Sequence, residues 1–266
     1  MSISDHHIII DGLNTCYRVA GDKSNQSLIF LHGWGARKND IFGRGTGDIM
    51  QRLSEKFYVV ALELPGHIRS EPPREIWGFE EYAKFLNEFV GVLQIQKPAI
   101  IMGQSFGGGV ATQYAFLYPS EVKALILTDS TQTQRPENFY YRTRFWWRPF
   151  FKETLKNSFV PTIFKKIVIS LFTGVPFGFL QKHSLLRYGI MADIQCQAKL
   201  KGDYAKFHMP VLLMWGRRDS MITPIVRARE IAKEIPRVKF IELNGGHLAL
   251  FQDTQRAISE IFNFYT

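Results

Sequence analysis

The chain has 266 residues, of which 45% are hydrophobic, 14% aromatic and 21% charged, with a formal net charge of +9. These figures exclude a disordered tail, a collagen-like repeat and a small disulfide scaffold, and a chain this long buries roughly three quarters of its unfolded surface without covalent staples. The charge is concentrated: residues 132–208 carry thirteen basic and four acidic side chains, the whole of the net +9, together with sixteen aromatic residues.

In chain order, Met1 to His7 has neither a basic n-region nor an apolar h-region, so no signal peptide is expected. His6–Asp11 and Thr15–Val19 read as an antiparallel entry hairpin turning around Gly12 and Asn14. His6 and His7, adjacent on a strand, point to opposite faces and make no metal site. Buried strands are predicted at Leu28–His32, Tyr58–Leu62, Ala99–Gly103, Ala124–Thr128, Val211–Trp215 and Lys239–Leu243, each a short apolar run ending near a turn-former or polar residue. Helices are predicted between them at Phe79–Leu93, Gly107–Tyr118, Val226–Ile235 and Thr254–Phe264. Phe79–Leu93 places Tyr82, Phe85, Leu86, Phe89, Val90 and Leu93 on one face, with Glu80 and Glu81 in its first turn. Strand–helix alternation gives an α/β fold with a mostly parallel, doubly covered sheet. The expected core is 1–131 and 209–266, with 132–208 as a basic, aromatic insertion. The apolar stretch Ile167 to Leu180 is interrupted by Gly174, Pro176 and Gly178 and is too short to span a bilayer. Cys16 and Cys196 form no metal or dithiol spacing, so a reducing compartment is the default. A soluble, cytoplasmic protein is expected.

Gly103-Gln104-Ser105-Phe106-Gly107-Gly108 follows an apolar run and precedes a helical pattern, the strand–turn–helix context of a G-x-S-x-G nucleophile elbow. Glycines beside the serine remove Cβ atoms where the backbone turns sharply, and a helix N-terminus there favours developing negative charge. A serine hydroxyl needs a base and an orienting carboxylate. Asp219 and His247 follow in the order Ser, Asp, His, each just past a strand end, where the tips of a parallel sheet converge. Asp129, after Ala124–Thr128, is the competing choice for the acid. The oxyanion donors are expected to be the backbone N–H groups of Phe106 and, after Leu31-His32-Gly33, of Trp34. His32 lies at the wrong strand end for the base and reads as structural.

His32-Gly33-Trp34-Gly35, Gly103-Gln104-Ser105-Phe106-Gly107-Gly108, Gly216-Arg217-Arg218-Asp219 and Gly246-His247 together resemble the α/β-hydrolase superfamily. The likeness is to small serine esterase-like members with a helical cap, the pimeloyl-ester carboxylesterase type included. It spans residues 1–131 and 209–266, about 70% of the chain. The segment Leu62-Glu63-Leu64-Pro65-Gly66-His67-Ile68-Arg69-Ser70 is similar to the family's loop after the fourth strand, with Glu63 in place of Asp and Ile68 in place of the second Gly. The resemblance implies a carboxylic ester hydrolase with 132–208 as its cap and no cofactor. Ser105 argues against the aspartate chemistry of epoxide hydrolases and dehalogenases, and Leu248 stands where carbon–carbon bond hydrolases usually carry Trp. Lactone, amide or carbon–carbon bond hydrolysis and cofactor-free perhydrolysis remain open on the same triad, as does a hydrolase fold used only for ligand or partner binding.

Trp146, Trp147, Phe150 and Phe151 of the insertion, with Leu248, are the candidate substrate contacts. The insertion has four readings: a solvated lid, an acyl-binding lid whose basic residues attract an anionic or carrier-linked ester, a surface for anionic membranes, or a nucleic-acid site. No nucleic-acid module motif is present, so no nucleic acid is expected. No metal-ligand spacing, Walker loop or G-x-G-x-x-G supports a metal or nucleotide.

Overall fold

The structure, a computed structural model, describes residues 2–33, 46–67, 69–75, 77–131, 159–173, 200–220 and 223–265. The chain divides into two compact units, Met1–Pro73, Phe79–Gln132 and Leu200–Thr266 forming the first and Arg74–Gly78 and Thr133–Lys199 the second.

The first unit is built on an eight-stranded sheet. Strands β1 (Ser4–Ile10) and β2 (Leu13–Ala20) form an antiparallel hairpin. Its two-residue turn, Asp11-Gly12, has φ of 50° and 73°, the left-handed pair that a type I′ turn requires and that Asp and Gly tolerate. The other strands are β3 (Ser27–Leu31), β4 (Tyr58–Leu62), β5 (Ala99–Gln104), β6 (Val122–Thr128), β7 (Val211–Gly216) and β8 (Val238–Leu243). Their spatial order is β1-β2-β4-β3-β5-β6-β7-β8. β2 meets β4 antiparallel, and every pairing from β4 to β8 is parallel. From β3 the chain moves outward to β4 and then returns to place β5 on the other side. That reversal opens a crevice at the carboxyl ends of β3 and β5, where open α/β sheets bind ligands.

The described helices are α1 (Thr46–Leu53), α2 (Phe79–Val92), α3 (Phe106–Leu117), α4 (Thr162–Thr173), α5 (Ile225–Ala232), α6 (Ala249–Gln252) and α7 (Thr254–Tyr265). Alternate strand residues, among them Leu28, Phe30, Val59, Ala61, Ile100, Met102, Ile126, Leu212 and Met214, pack against Ile49, Met50 and Leu53 of α1 and Ala257, Ile258 and Ile261 of α7. α2 packs on α3, and α3 packs on β5 and β6. Phe106 to Ala115 of α3 are all buried, so this helix is covered on every side, with the polar Thr112 and Gln113 satisfied by hydrogen bonds.

The predicted elements are present with ends that coincide or shift by up to three residues; Tyr58–Leu62 agrees at both ends, whereas β6 starts at Val122 rather than Ala124. α1, α4 and α6 have no counterpart among the predicted elements. The predicted insertion is too long at its far end, because residues 200–208 group with the sheet unit. The Phe116 ring lies 5.3 Å from Tyr204 and 4.8 Å from Phe207, and the Lys201 N–H donates to Gln113 Oε1 at 2.8 Å. Of the second unit, α4 exposes Ile163, Phe164 and Ile167. No helix among the described residues is long and apolar enough to cross a membrane.

Candidate active site

β5 ends at Gln104 and α3 begins at Phe106, so Ser105 alone makes the turn between them. Its φ of 50° and ψ of −116° lie in a region that a residue with a Cβ adopts at a penalty of about 1–3 kcal/mol. The turn holds because its surroundings over-determine it. The Ser105 N–H donates to Thr128 O at 3.0 Å, and the Ser105 carbonyl accepts from the N–H groups of Gly108 and Thr131, both at 2.9 Å. Close approach explains the flanking glycines: a Cβ on Gly103 would lie 2.4 Å from Gly107 O, and one on Gly107 would lie 2.3 Å from Leu31 O.

The strand tips bring three distant side chains into line. Ser105 Oγ lies 2.8 Å from His247 Nε2, and His247 Nδ1 lies 2.7 Å from Asp219 Oδ2. In the tautomer that lets the ring act as a base, Nδ1–H donates to the carboxylate and Nε2 accepts the serine proton. The acid loop is tied down on both sides, with the Asp219 N–H donating to Gly216 O, the Ile225 N–H to Asp219 O and the Arg218 N–H to Gly245 O. Burial alone would raise the Asp219 carboxyl, but hydrogen bonds from His247 and Thr223 more than offset it and hold the group below the ordinary carboxylate value.

Two polar residues complete the cluster, and sequence reasoning names only one of them, as a competing acid. Thr223 Oγ1 lies 2.6 Å from Asp219 Oδ2 and 3.1 Å from His247 Nδ1. The one sequence signal for Thr223 is its place four residues after the acid. The Asp129 carboxylate is spent on backbone donors: its Oδ1 accepts from the Gly216 N–H at 2.8 Å and its Oδ2 from the Ala249 N–H at 3.1 Å. Asp219 therefore takes the position beside the imidazole, and Asp129 stands behind it. Burial pushes the Asp129 carboxyl up to about 7; the Asp219 charge adds to this, while the two N–H donors and His247 act against it.

Phe106 opens α3, and the N–H groups of a helix's first turn have no carbonyl one turn back to bind. Gly33, at the end of β3, touches the same point: a Cβ there would lie 2.1 Å from Gln104 Oε1 and 3.2 Å from Ser105 Cβ. Trp34 itself lies outside the described residues, as do Trp146, Trp147, Phe150 and Phe151. Leu248, next to His247, is half exposed. His32 is buried, with Nδ1–H donating to Gly33 O at 2.8 Å and Nε2 accepting from the Leu64 N–H at 3.0 Å. Burial pushes it down to about 4, against the Gly33 bond, so it is a neutral ring bracing two loops. Glu63 closes the loop after β4, its carboxylate accepting from the Arg69 N–H at 3.0 Å and from Arg69 Nε at 2.9 Å. Among the described residues no group of three or more His, Cys, Asp or Glu is placed to hold a metal ion.

Residues 26–185 match the alpha/beta hydrolase fold family. The chain is similar to an uncharacterised protein of Mycobacterium tuberculosis, 31% identical over 133 residues, half of this chain but only 37% of that relative's length. It is also similar to the pimeloyl-[acyl-carrier protein] methyl ester esterase of Chromobacterium violaceum, 27% identical over 252 residues that span 88% of this chain and 92% of the relative. Among solved structures it resembles the enol-lactonase from Burkholderia xenovorans LB400, with a TM-score of 0.74 at 18% identity over 98% of this chain and 99% of that one, a likeness of fold. With the family match covering more than half of its length and an eight-stranded, mostly parallel sheet beneath it, the chain belongs to the alpha/beta hydrolase fold family.

Proposed function

We propose that this hydrolase cleaves a carboxylic ester through an acyl-enzyme on Ser105. The observation that carries the reading is the unbroken relay from Ser105 Oγ to His247 at 2.8 Å and from His247 to Asp219 at 2.7 Å. In the first half-reaction Ser105 Oγ bonds to the acyl carbon while its proton passes to His247 Nε2. Collapse of the tetrahedral intermediate breaks the carbon–oxygen bond to the alcohol, which leaves with that proton. In the second half-reaction water loses a proton to Nε2, attacks the acyl-serine, and releases the acid as Ser105 regains its hydrogen. Asp219 holds the Nδ1–H tautomer and stabilises the imidazolium. The Phe106 N–H is one oxyanion donor, and the Trp34 N–H is assigned as the second. Each step uses the chain's own groups. A lactone is an internal ester and follows the same steps, with the alcohol kept on the acid product.

Hydrolysis of short 4-nitrophenyl esters tests this. Ser105→Ala is expected to abolish turnover above background, and Asp219→Asn to lower kcat on the order of 10⁴-fold through loss of the tautomer. A fluorophosphonate probe is expected to label the wild type at Ser105. Equal rates in wild type and Ser105→Ala, or folded wild type that takes up no probe, would return the protein to a ligand-binding role.

A further inference from the structure

The acid on the neighbouring strand tip is fully buried, yet the proton relay does not pass through it. Asp129 follows β6 and has a φ of 42°; like Ser105, it is a left-handed non-glycine residue at a strand end beside the site. Its backbone and side chain together bond to both loops that carry the relay. The N–H donates to Met214 O at 3.1 Å, inside β7. Carboxylate Oδ1 accepts from Gly216, three residues before Asp219, and Oδ2 accepts from Ala249, two residues after His247. The Asp129 carbonyl lies 3.1 Å from Thr223 Oγ1, the hydroxyl that also touches Asp219 and His247.

Both donors to the side chain are backbone N–H groups, so both carboxylate oxygens must act as acceptors. An ionised Asp fits that demand. Asn of the same shape offers one acceptor and turns an NH2 towards the other N–H donor. Burying a carboxylate without a bonded cation is unfavourable, so a residue serving packing alone would be better replaced by a neutral one. Facing Asp129 from the loops after β7 and β8 are two titratable groups, Asp219 and His247. The Asp129 carboxylate repels the first and attracts the protonated form of the second.

We propose that Asp129 is a positioning residue that clamps the Asp219 and His247 loops to one strand tip and so sets the imidazole between Ser105 and the acid. The proposal rests on the triad reading above. Without the clamp, Ala249 and Gly216 lose their shared anchor, and the ring can drift from the serine by tenths of an ångström to an ångström. Misplacement on that scale lowers a rate by about a hundredfold.

The test compares wild type with Asp129→Asn on a 4-nitrophenyl ester between pH 5 and 9, with fluorophosphonate labelling in parallel. The expected result is a kcat reduced about a hundredfold at nearly unchanged KM, with labelling slowed to match. The acid limb of kcat/KM should also reach its plateau at lower pH, because the Asp129 charge that appears as the carboxyl ionises near pH 7, and that favours the imidazolium, is gone. A kcat within twofold of wild type overturns the proposal. So does a reduced kcat whose acid limb stays in place, since a purely structural carboxylate would act in that way. Should Asp129→Asn fail to fold, Thr223→Val removes the hydroxyl that links the Asp129 carbonyl to the pair, and a kcat within twofold of wild type then overturns it. Wild type that neither labels nor turns over sinks the triad reading instead, which keeps the two failures apart.

Discussion

Asp129 and Asp219 sit on adjacent strand tips, and burial raises both while hydrogen bonds lower both, yet the balance falls on opposite sides of the ordinary carboxylate value. Asp219 gains bonds from His247 and Thr223 that favour its charge and stays below the ordinary carboxylate value; for Asp129 burial, with the like charge of Asp219 adding to it, outweighs the two backbone donors and pushes the carboxyl up to about 7. The consequences for stability have opposite signs. A depressed carboxyl contributes stability above its unfolded value and loses it as pH falls through the folded one. A raised carboxyl does the reverse: between about pH 4 and 7 the folded protein binds the extra proton, so stability falls as pH rises through that window. The Tm of wild type is therefore expected to decline from pH 5 to pH 8 relative to that of Asp129→Asn, whose side chain has no charge to bury. Parallel Tm curves for the two proteins would show that Asp129 ionises as easily folded as unfolded. Ser105, Asp219 and His247 are readable in the sequence because each stands just past an apolar strand and their chain order matches the elbow. The bracing by Thr223 and Asp129 is not readable there, since it depends on which backbone N–H groups the folded tips present, and no spacing encodes that.

At the scale of elements, the elbow is a packing problem before it is a chemical one. α3 must approach β3 so closely that a Cβ on Gly107 would lie 2.3 Å from Leu31 O and 2.5 Å from His32 O. Those are backbone atoms at the tip of a central strand and cannot yield as a flexible side chain would. Gly107→Ala is accordingly expected to destabilise the protein by about 1–3 kcal/mol or more and to suppress probe labelling at Ser105. Gly91 is the internal comparison. It lies in α2, a Cβ there meets nothing within 4 Å, and its φ is not left-handed. Gly91→Ala should stabilise by about 0.5–1 kcal/mol through helix propensity. Urea titration of both variants checks the pair, and the same sign for the two would undo the argument. The strands are legible because each is a short apolar run with a turn-former or polar residue at its end. α1 is not: Gly45-Thr46-Gly47 reads as loop, and its apolar anchors Ile49, Met50 and Leu53 gain their meaning only against the sheet. α6, at four residues, is too short to carry a period. Charge and aromatic content assign residues 200–208 to the insertion, but Tyr204 and Phe207 belong to a cluster on Phe116 that only the fold brings together.

For the molecule as a whole, the uneven charge carries a kinetic consequence. Residues 132–208 hold all of the net +9, and the rest of the chain is balanced. The chain leaves the sheet unit just past Thr131, whose N–H is bonded to the Ser105 carbonyl at 2.9 Å. Steering of anionic esters by this basic segment is a prediction that ionic strength tests. A field of this kind speeds the arrival of opposite charge and is screened beyond roughly 8 Å at physiological ionic strength. The expected outcome is that kcat/KM for an anionic ester falls as salt is added, while that for a neutral ester of similar size holds steady. Charge reversal at Arg142, Arg144 and Arg148 should flatten the salt dependence and leave kcat unchanged, because steering acts on encounter and not on the chemical step. The exposed Ile163, Phe164 and Ile167 of α4 give the competing outcome a definite form. Adsorption through apolar side chains and basic charge predicts binding to anionic vesicles, weakened by Ile163→Asp and Ile167→Asp, with no difference between the two esters in solution. Identical salt profiles for the two esters, with or without vesicle binding, would remove substrate steering as the work of this segment.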